Sequence, residues 1–201
     1  MSGIGGIVHW DDRPVEASGI QRMMQMVRHR GPDGHWHEVH GRVGLGFALL
    51  AMKKSDNQHP QPAWLPDASC GIVADVSLYN RGDIIRRLGE VPWWPDKPAD
   101  AEIILAAYER WREDLLDMLD GDFAFAIWDK ESGQIFAARD PFGAKPLFYY
   151  QDTNRFLFGS EPKQLLFMPG VPVVPDDERL ESFFSGTSKN WRELFSKIFD
   201  A

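Results

Sequence analysis

Residues 123–158 read FAFAIWDKESGQIFAARDPFGAKPLFYYQDTNRFLF, and the period of this stretch decides the fold. Phe123–Trp128, Gln134–Ala138, Leu147–Tyr150 and Arg155–Phe158 are short runs rich in aromatic and β-branched residues, as strands are. Lys130–Gly133 and Asp152–Asn154 supply turns between the first and the last pair, which predicts an antiparallel meander. The middle connection, Arg139–Pro146, is longer and carries charge and glycine.

Upstream the period changes to that of a helix. Ile104, Tyr108, Trp111, Leu115 and Leu119 form one stripe, with Asp100 suited to the N-cap and Gly121 to the exit. Arg81–Leu88 predicts a short helix. Val43–Met52 and Cys70–Val76 predict strands in a buried sheet, joined by a loop rich in Pro, Gln and Asp over residues 54–67. At the start, Ile4–Trp10 reads as a strand and Asp11–Arg13 as its turn. Ala17–His29 reads as a helix on Ile20, Met23, Met24 and Val27, broken at Gly31-Pro32-Asp33-Gly34. Strands and helices are segregated along the chain. That is an α+β class, and two antiparallel sheets stacked in a layered sandwich are its economical arrangement.

The chain has 201 residues, enough for one domain with a full core. A net charge of −8 makes phosphate backbones and anionic lipid surfaces poor partners, so neither nucleic acid nor membrane is expected. No apolar run approaches the ~20 residues of a membrane helix. The one cysteine, Cys70, excludes an internal disulfide and a cysteine-based zinc site, and a cytoplasmic location is expected. Pro169, Pro172 and Pro175 mark a boundary between a body of residues 1–168 and an appendage of residues 169–201. In the appendage Trp191, Leu194, Phe195, Ile198 and Phe199 form an amphipathic helical stripe.

Several groups could carry chemistry. Ser2 follows Met1, and small residues at that position allow the initiator to be trimmed. A freed Ser2 would hold a hydroxyl and an α-amine of pKa about 7.7–8.0, its own nucleophile and base. While Met1 remains, that nitrogen is an amide and cannot accept a proton. His35, His37 and His40 lie in one short string but lack supporting ligands, so no metal site is expected. Lys145-Pro146 can be read as an anion site or as an ion-paired loop. Trp93-Trp94-Pro95 is a contact surface or a cap on the core.

Taken together, Ser2-Gly3-Ile4-Gly5-Gly6, His29-Arg30-Gly31-Pro32-Asp33, Tyr79-Asn80, Asp100-Ala101-Glu102, Phe123–Asp129, Ala138-Arg139-Asp140, Gly143–Leu147 and Gly159-Ser160-Glu161 resemble the class II glutamine amidotransferase domain of the asparagine synthetase family. The resemblance covers nearly all of residues 2–167. It implies a four-layer αββα sandwich of the N-terminal-nucleophile type. It also implies a cysteine after Met1 that attacks the glutamine amide, with the ammonia passing to an ATP-dependent synthetase domain.

Carried over residue by residue, the resemblance implies a degenerate site. Ser2 stands at the nucleophile position. Leu49 stands where the family's arginine clamps the glutamine carboxylate, and Asp75-Val76 where an Asn-Gly pair builds the oxyanion hole. Asp100, which would hold the substrate α-amine, is retained. A hydroxyl ionises far less readily than a thiol. Leucine makes no ion pair, and loss of one oxyanion donor costs ~10²–10³ in rate. The expectation is a domain inactive as a glutaminase, serving as scaffold or docking half of an amide-forming ligase. Ser2, Leu49 and the Arg139–Gly143 string resemble the branch that closes lactam and macrolactam rings, lasso-peptide cyclases included. The alternative is an active N-terminal serine amidohydrolase using Ser2 once Met1 is removed. No cofactor is expected in this chain, because Ser185-Gly186-Thr187-Ser188 is too partial a match to the family's pyrophosphate loop. ATP and magnesium belong to a synthetase domain. The expected partner is that domain or a separate protein docked through the Trp191–Phe199 stripe, with a second copy of the chain a further candidate.

Overall fold

The computed structural model describes residues 1–174 together with Asp177, Glu181, Phe184, Ser185, Phe199 and Asp200. The chain opens with β1 (Gly3–His9) and α1 (Ala17–Gln25), then an edge hairpin of β2 (Gly34–His40) and β3 (Val43–Leu49). A 3₁₀ turn (Lys54–Gln58) and β4 (Ala63–Trp64) lead to β5 (Cys70–Leu78), α2 (Arg81–Leu88) and α3 (Asp100–Trp111). A second 3₁₀ segment (Arg112–Met118) precedes β6 (Gly121–Asp129) and β7 (Gln134–Arg139). β8 (Phe148–Gln151), β9 (Arg155–Gly159), α4 (Pro162–Leu166) and β10 (Phe199–Asp200) complete the order.

The strands form two sheets, β10-β8-β9-β1-β3-β2 and β4-β5-β6-β7. Among the described residues every pairing is antiparallel. Three buried clusters fill the three interfaces of a four-layer αββα sandwich. Ile20, Met23, Met24 and Leu165 from α1 and α4 pack with Ile7 and Leu157. Between the sheets lie Ile4, Val8, Leu45, Phe47, Val73, Trp128 and Phe158. On the far face Ile84, Ile104 and Tyr108 from α2 and α3 meet Ile72, Phe125 and Ile127. Strand periodicity explains how one strand serves two layers. On β6, Phe123, Phe125 and Ile127 face the helices, while Ala124, Ala126 and Trp128 face the other sheet.

The α+β class and the paired antiparallel sheets match the sequence expectation, with four corrections. The predicted single meander is divided. β6 and β7 stay in one sheet, whereas β8 and β9 join the other, because the Arg139–Pro146 connection crosses between layers. The helix expected over residues 17–29 ends at Gln25, and turns carry the chain to Gly31. The long helical stripe breaks at Arg112, whose φ is +53° and whose guanidinium is held 2.9 Å from buried Asp129. Leu115 still packs, from the 3₁₀ segment. Asp100 is the first helical residue and Ala99 the cap, and Gly121 opens β6. The histidine string forms edge strand β2. His37 contacts Gln21 and His40 contacts Glu38, and among the described residues no cluster of metal-ligating side chains occurs. Trp93 and Trp94 are half-buried against the α3 core.

The boundary at residue 168 falls just after α4, and Met168 and Val171 pack beneath α1. Of the predicted helical stripe Trp191–Phe199, residues 191–198 lie outside the described residues, and Phe199 is corrected from helix to strand, since it and Asp200 pair with Tyr149 and Phe148 along the edge of β8. Among the described residues no helix is long and apolar enough to cross a membrane.

Gly31 ties the helical layer to the sheet, since a Cβ there would overlap the Ala48 backbone. Backbone cannot yield as a side-chain tip can. Gly31→Ala is expected to lower the unfolding free energy by about 3 kcal/mol, read as the midpoint shift in urea denaturation.

Candidate active site

The candidate site lies where β1 begins, at one end of the space between the sheets. Ser2 is buried, and its Oγ accepts a hydrogen bond from the Leu50 amide at 3.1 Å. The next residues are pinned from α4 and the bend before it. The Ile4 amide donates to Ser160 Oγ at 2.9 Å, and Gln164 Nε2 donates to the Ile4 carbonyl at 3.1 Å. Met1 precedes this anchored strand and is half exposed.

Arg30 braces the strand from the other side. Its Nε donates to the Ser2 carbonyl at 2.9 Å, and its Nη1 to Glu161 Oε1 at 3.2 Å. Its Nη2 lies 3.9 Å from Asp75 Oδ2, beyond hydrogen-bond distance, and both atoms are buried without a hydrogen-bond partner. Lys145 Nζ approaches the other Asp75 oxygen, Oδ1, at 3.6 Å. Burial raises Glu161, but hydrogen bonds from Lys163, Arg30 and His29 outweigh it and leave the carboxyl below the ordinary glutamate range.

Asp75 sits on the face of β5 that carries Val73, turned toward the space between the sheets, and is only 6% exposed. Burial pushes its carboxyl up. Lys145, Arg30 and the chain's amino terminus pull it down without cancelling that rise. The backbone there is fixed on both sides. Asp75 is in register with Ala124, and the Gln61 side chain pairs with Ala74 through both of its amide atoms, at 2.6 and 3.0 Å. Val76 belongs to the opposite face, packed against the α3 layer, so its side chain takes no part in the cleft. Leu49 is buried in the inter-sheet cluster and presents hydrocarbon where the resemblance implies a cation.

Asp100 accepts from the Leu78 amide at 2.9 Å and faces Arg81 at 3.5 Å, with Oδ1 buried and lacking a hydrogen bond. Among the described residues, no hydrogen bond or ion pair joins it to Ser2, Leu49 or Asp75. The structure therefore brings together Ser2 and Asp75 through Arg30, and leaves Asp100 on the helical side of β5. Lys145, which the sequence offers as an anion site or part of an ion-paired loop, faces the Asp75 carboxylate. Sequence reasoning gave Arg30 and Glu161 no role in the site; their only signal is a charged residue within the His29–Asp33 and Gly159–Glu161 blocks.

Asp140 fixes the loop that places Lys145 beside Asp75. Its carboxylate accepts from the amides of Phe142, Ala144 and Lys145 at 3.0–3.1 Å, and from Phe123 at 3.3 Å. Burial alone would raise this carboxyl, but the backbone donors outweigh it and hold it below the ordinary range. A depressed carboxyl adds stability above its unfolded pKa, and that stability is lost as pH falls through the folded value. Asp140→Asn is thus expected to cost about 2 kcal/mol at pH 7, with the gap closing below about pH 4. Urea denaturation across that range measures it.

The sequence matches the model of the glutamine amidotransferase domain family over residues 1–200. It is 35% identical over 188 residues to glutamine-hydrolysing asparagine synthetase 3 of Bacillus subtilis, covering 92% of this chain and 30% of that protein. It is 34% identical over 168 residues to asparagine synthetase 1 of the same organism, covering 83% and 26%. The chain thus spans about a third or less of the relatives it matches. Among solved structures, glutamine phosphoribosylpyrophosphate amidotransferase from Bacillus subtilis, complexed with ADP and GMP, superposes with a TM-score of 0.67. That likeness is at 17% identity over 83% of this chain and 43% of the other, a likeness of fold alone, of the N-terminal-nucleophile type.

Proposed function

The chain belongs to the glutamine amidotransferase domain family, and from that premise we propose that it has lost glutamine hydrolysis and serves as the docking half of an amide-forming ligase. One observation carries the reading: a carboxylate, Asp75, is buried beside the Ser2 strand where the hydrolytic site needs donors for an oxyanion. A negative charge there opposes the charge that develops on the attacked carbonyl, the reverse of what catalysis requires.

Two further features support it. Leu49 offers no charge to a substrate carboxylate, and an arginine–carboxylate clamp has no apolar substitute. Among the described residues the Leu50 amide donates to Ser2 Oγ and no basic side chain lies within hydrogen-bonding distance of it. The α-amine is then the one base within reach, and it is an amide until Met1 is removed. The synthetase reaction, its ATP and magnesium and its amide product belong in this reading to a domain or partner outside the chain. Ser2, Leu49 and the Arg139–Gly143 string support kinship with ligases that close rings on an amine already present in the substrate, where no ammonia is needed. The Trp191–Phe199 stripe supports docking to the synthetase half, and a cytoplasmic setting suits such a ligase.

The purified chain, with its N-terminus checked by intact mass, is expected to release no ammonia or glutamate from glutamine above a Ser2→Ala control. Turnover above that background defeats the reading and favours a serine amidohydrolase. Size-exclusion chromatography of the chain with and without residues 188–201 addresses docking, and an unchanged elution volume and solubility would count against it.

A further inference from the structure

We propose that Arg30 and Lys145 form a binding site for a small carboxylate, which Asp75 now fills from within the chain. Two cationic side chains, 10% and 14% exposed, converge on one buried carboxylate from different parts of the fold. Neither contact closes to a hydrogen bond, since the distances are 3.9 and 3.6 Å against the 2.7–2.9 Å of a good charge-assisted pair. Arg30 Nη2 is left as a buried donor with no acceptor, aimed at this gap. Its Nε and Nη1 are already committed to the Ser2 carbonyl and to Glu161.

The tether explains the long contacts. Asp75 is anchored in β5 by pairing with β6 and by the Gln61 amide on Ala74, so its carboxylate cannot advance toward either cation. A free carboxylate carries no such tether and can take hydrogen-bonding distance to both. The raised carboxyl of Asp75 agrees with an ill-fitting tenant, burial outweighing Lys145, Arg30 and the amino terminus. The charged groups around Asp75 are Arg30 from the turn after α1, Lys145 from the β7–β8 connection and the amino terminus ahead of β1, with Glu161 behind Arg30. Its β6 neighbour, Ala124, is uncharged. A ligand carboxylate in this place would lie next to the Ser2 strand, and the cleft would hold an acid on cations other than the family's arginine.

Formate is the probe, small enough for the gap and ionised at neutral pH. Thermal unfolding of the Asp75→Ala chain is measured at pH 7.5 in sodium formate against sodium chloride of equal ionic strength. A saturable rise of about 3 °C is expected with formate at ten times its dissociation constant, none in the parent chain, and none in the Asp75→Ala, Lys145→Gln double variant. Equal responses to formate and chloride, or a response unchanged by Lys145→Gln, overturn the proposal. Asp75→Ser replaces Asp75→Ala where the latter does not fold. Recovery of folding only in formate supports the site, and failure of both variants to fold in formate overturns it. The inference shares with the loss of glutaminase only the position of Asp75. Turnover of glutamine would defeat that reading and leave this one standing.

Discussion

The guanidinium of Arg30 is the constraint on which the site depends. One planar group donates to the Ser2 carbonyl and to Glu161 and faces Asp75, so a single side chain spans the start of β1, the entry to α4 and the middle of β5. Buried charge persists only when partnered, and removing one member of such a set commonly costs ~3–5 kcal/mol because the others are stranded. Arg30 reaches this place because the chain turns at Gly31, the residue that lies flat on the Ala48 backbone. The geometry at Ser2 is therefore set by packing between the helical layer and the sheet, not by the N-terminus itself.

Topology supplies the second cation. Had the four strands after Gly121 stayed in one sheet, Arg139–Pro146 would be an outer loop. Instead this connection carries the chain from one sheet to the other, past the end of the sandwich where β1 begins. Asp140 gathers four backbone amides there and fixes the loop. Lys145, at its close, is left 3.6 Å from Asp75. The crossing that completes the fold is also what brings charge to the cleft.

The layers were legible in the sequence because alternation of large and small apolar residues is a direct image of a strand with two buried faces, as at Phe123–Trp128. Strand β2 was less legible. Its His35, Glu38 and His40 suit a half-solvated edge and give no apolar period. The apolar stripe through Leu115 and Leu119 was real, but it could not reveal the break at Arg112, where the pull of buried Asp129 outweighs the preference for a right-handed backbone. In the site, Ser2, Leu49 and Asp75 were visible as departures from a pattern. The Arg30–Asp75–Lys145 contact was not, because its members lie in three separate parts of the chain and only the fold makes them neighbours.

Asp75 also shows why a site can change chemistry while the architecture holds. Its backbone continues the β5–β6 ladder and its neighbours Ala74 and Val76 pack toward α3, so register and the α3-facing core rest on groups other than its carboxyl. What the carboxyl sets is local: a buried acid facing Arg30 and Lys145 beside the start of β1. The anchored strand holds this carboxylate 3.9 and 3.6 Å from those cations, so the cost of burial stays on it. On the proposed reading that cost is tolerable because no oxyanion has to develop beside the carboxylate, while the sandwich around it is unaffected.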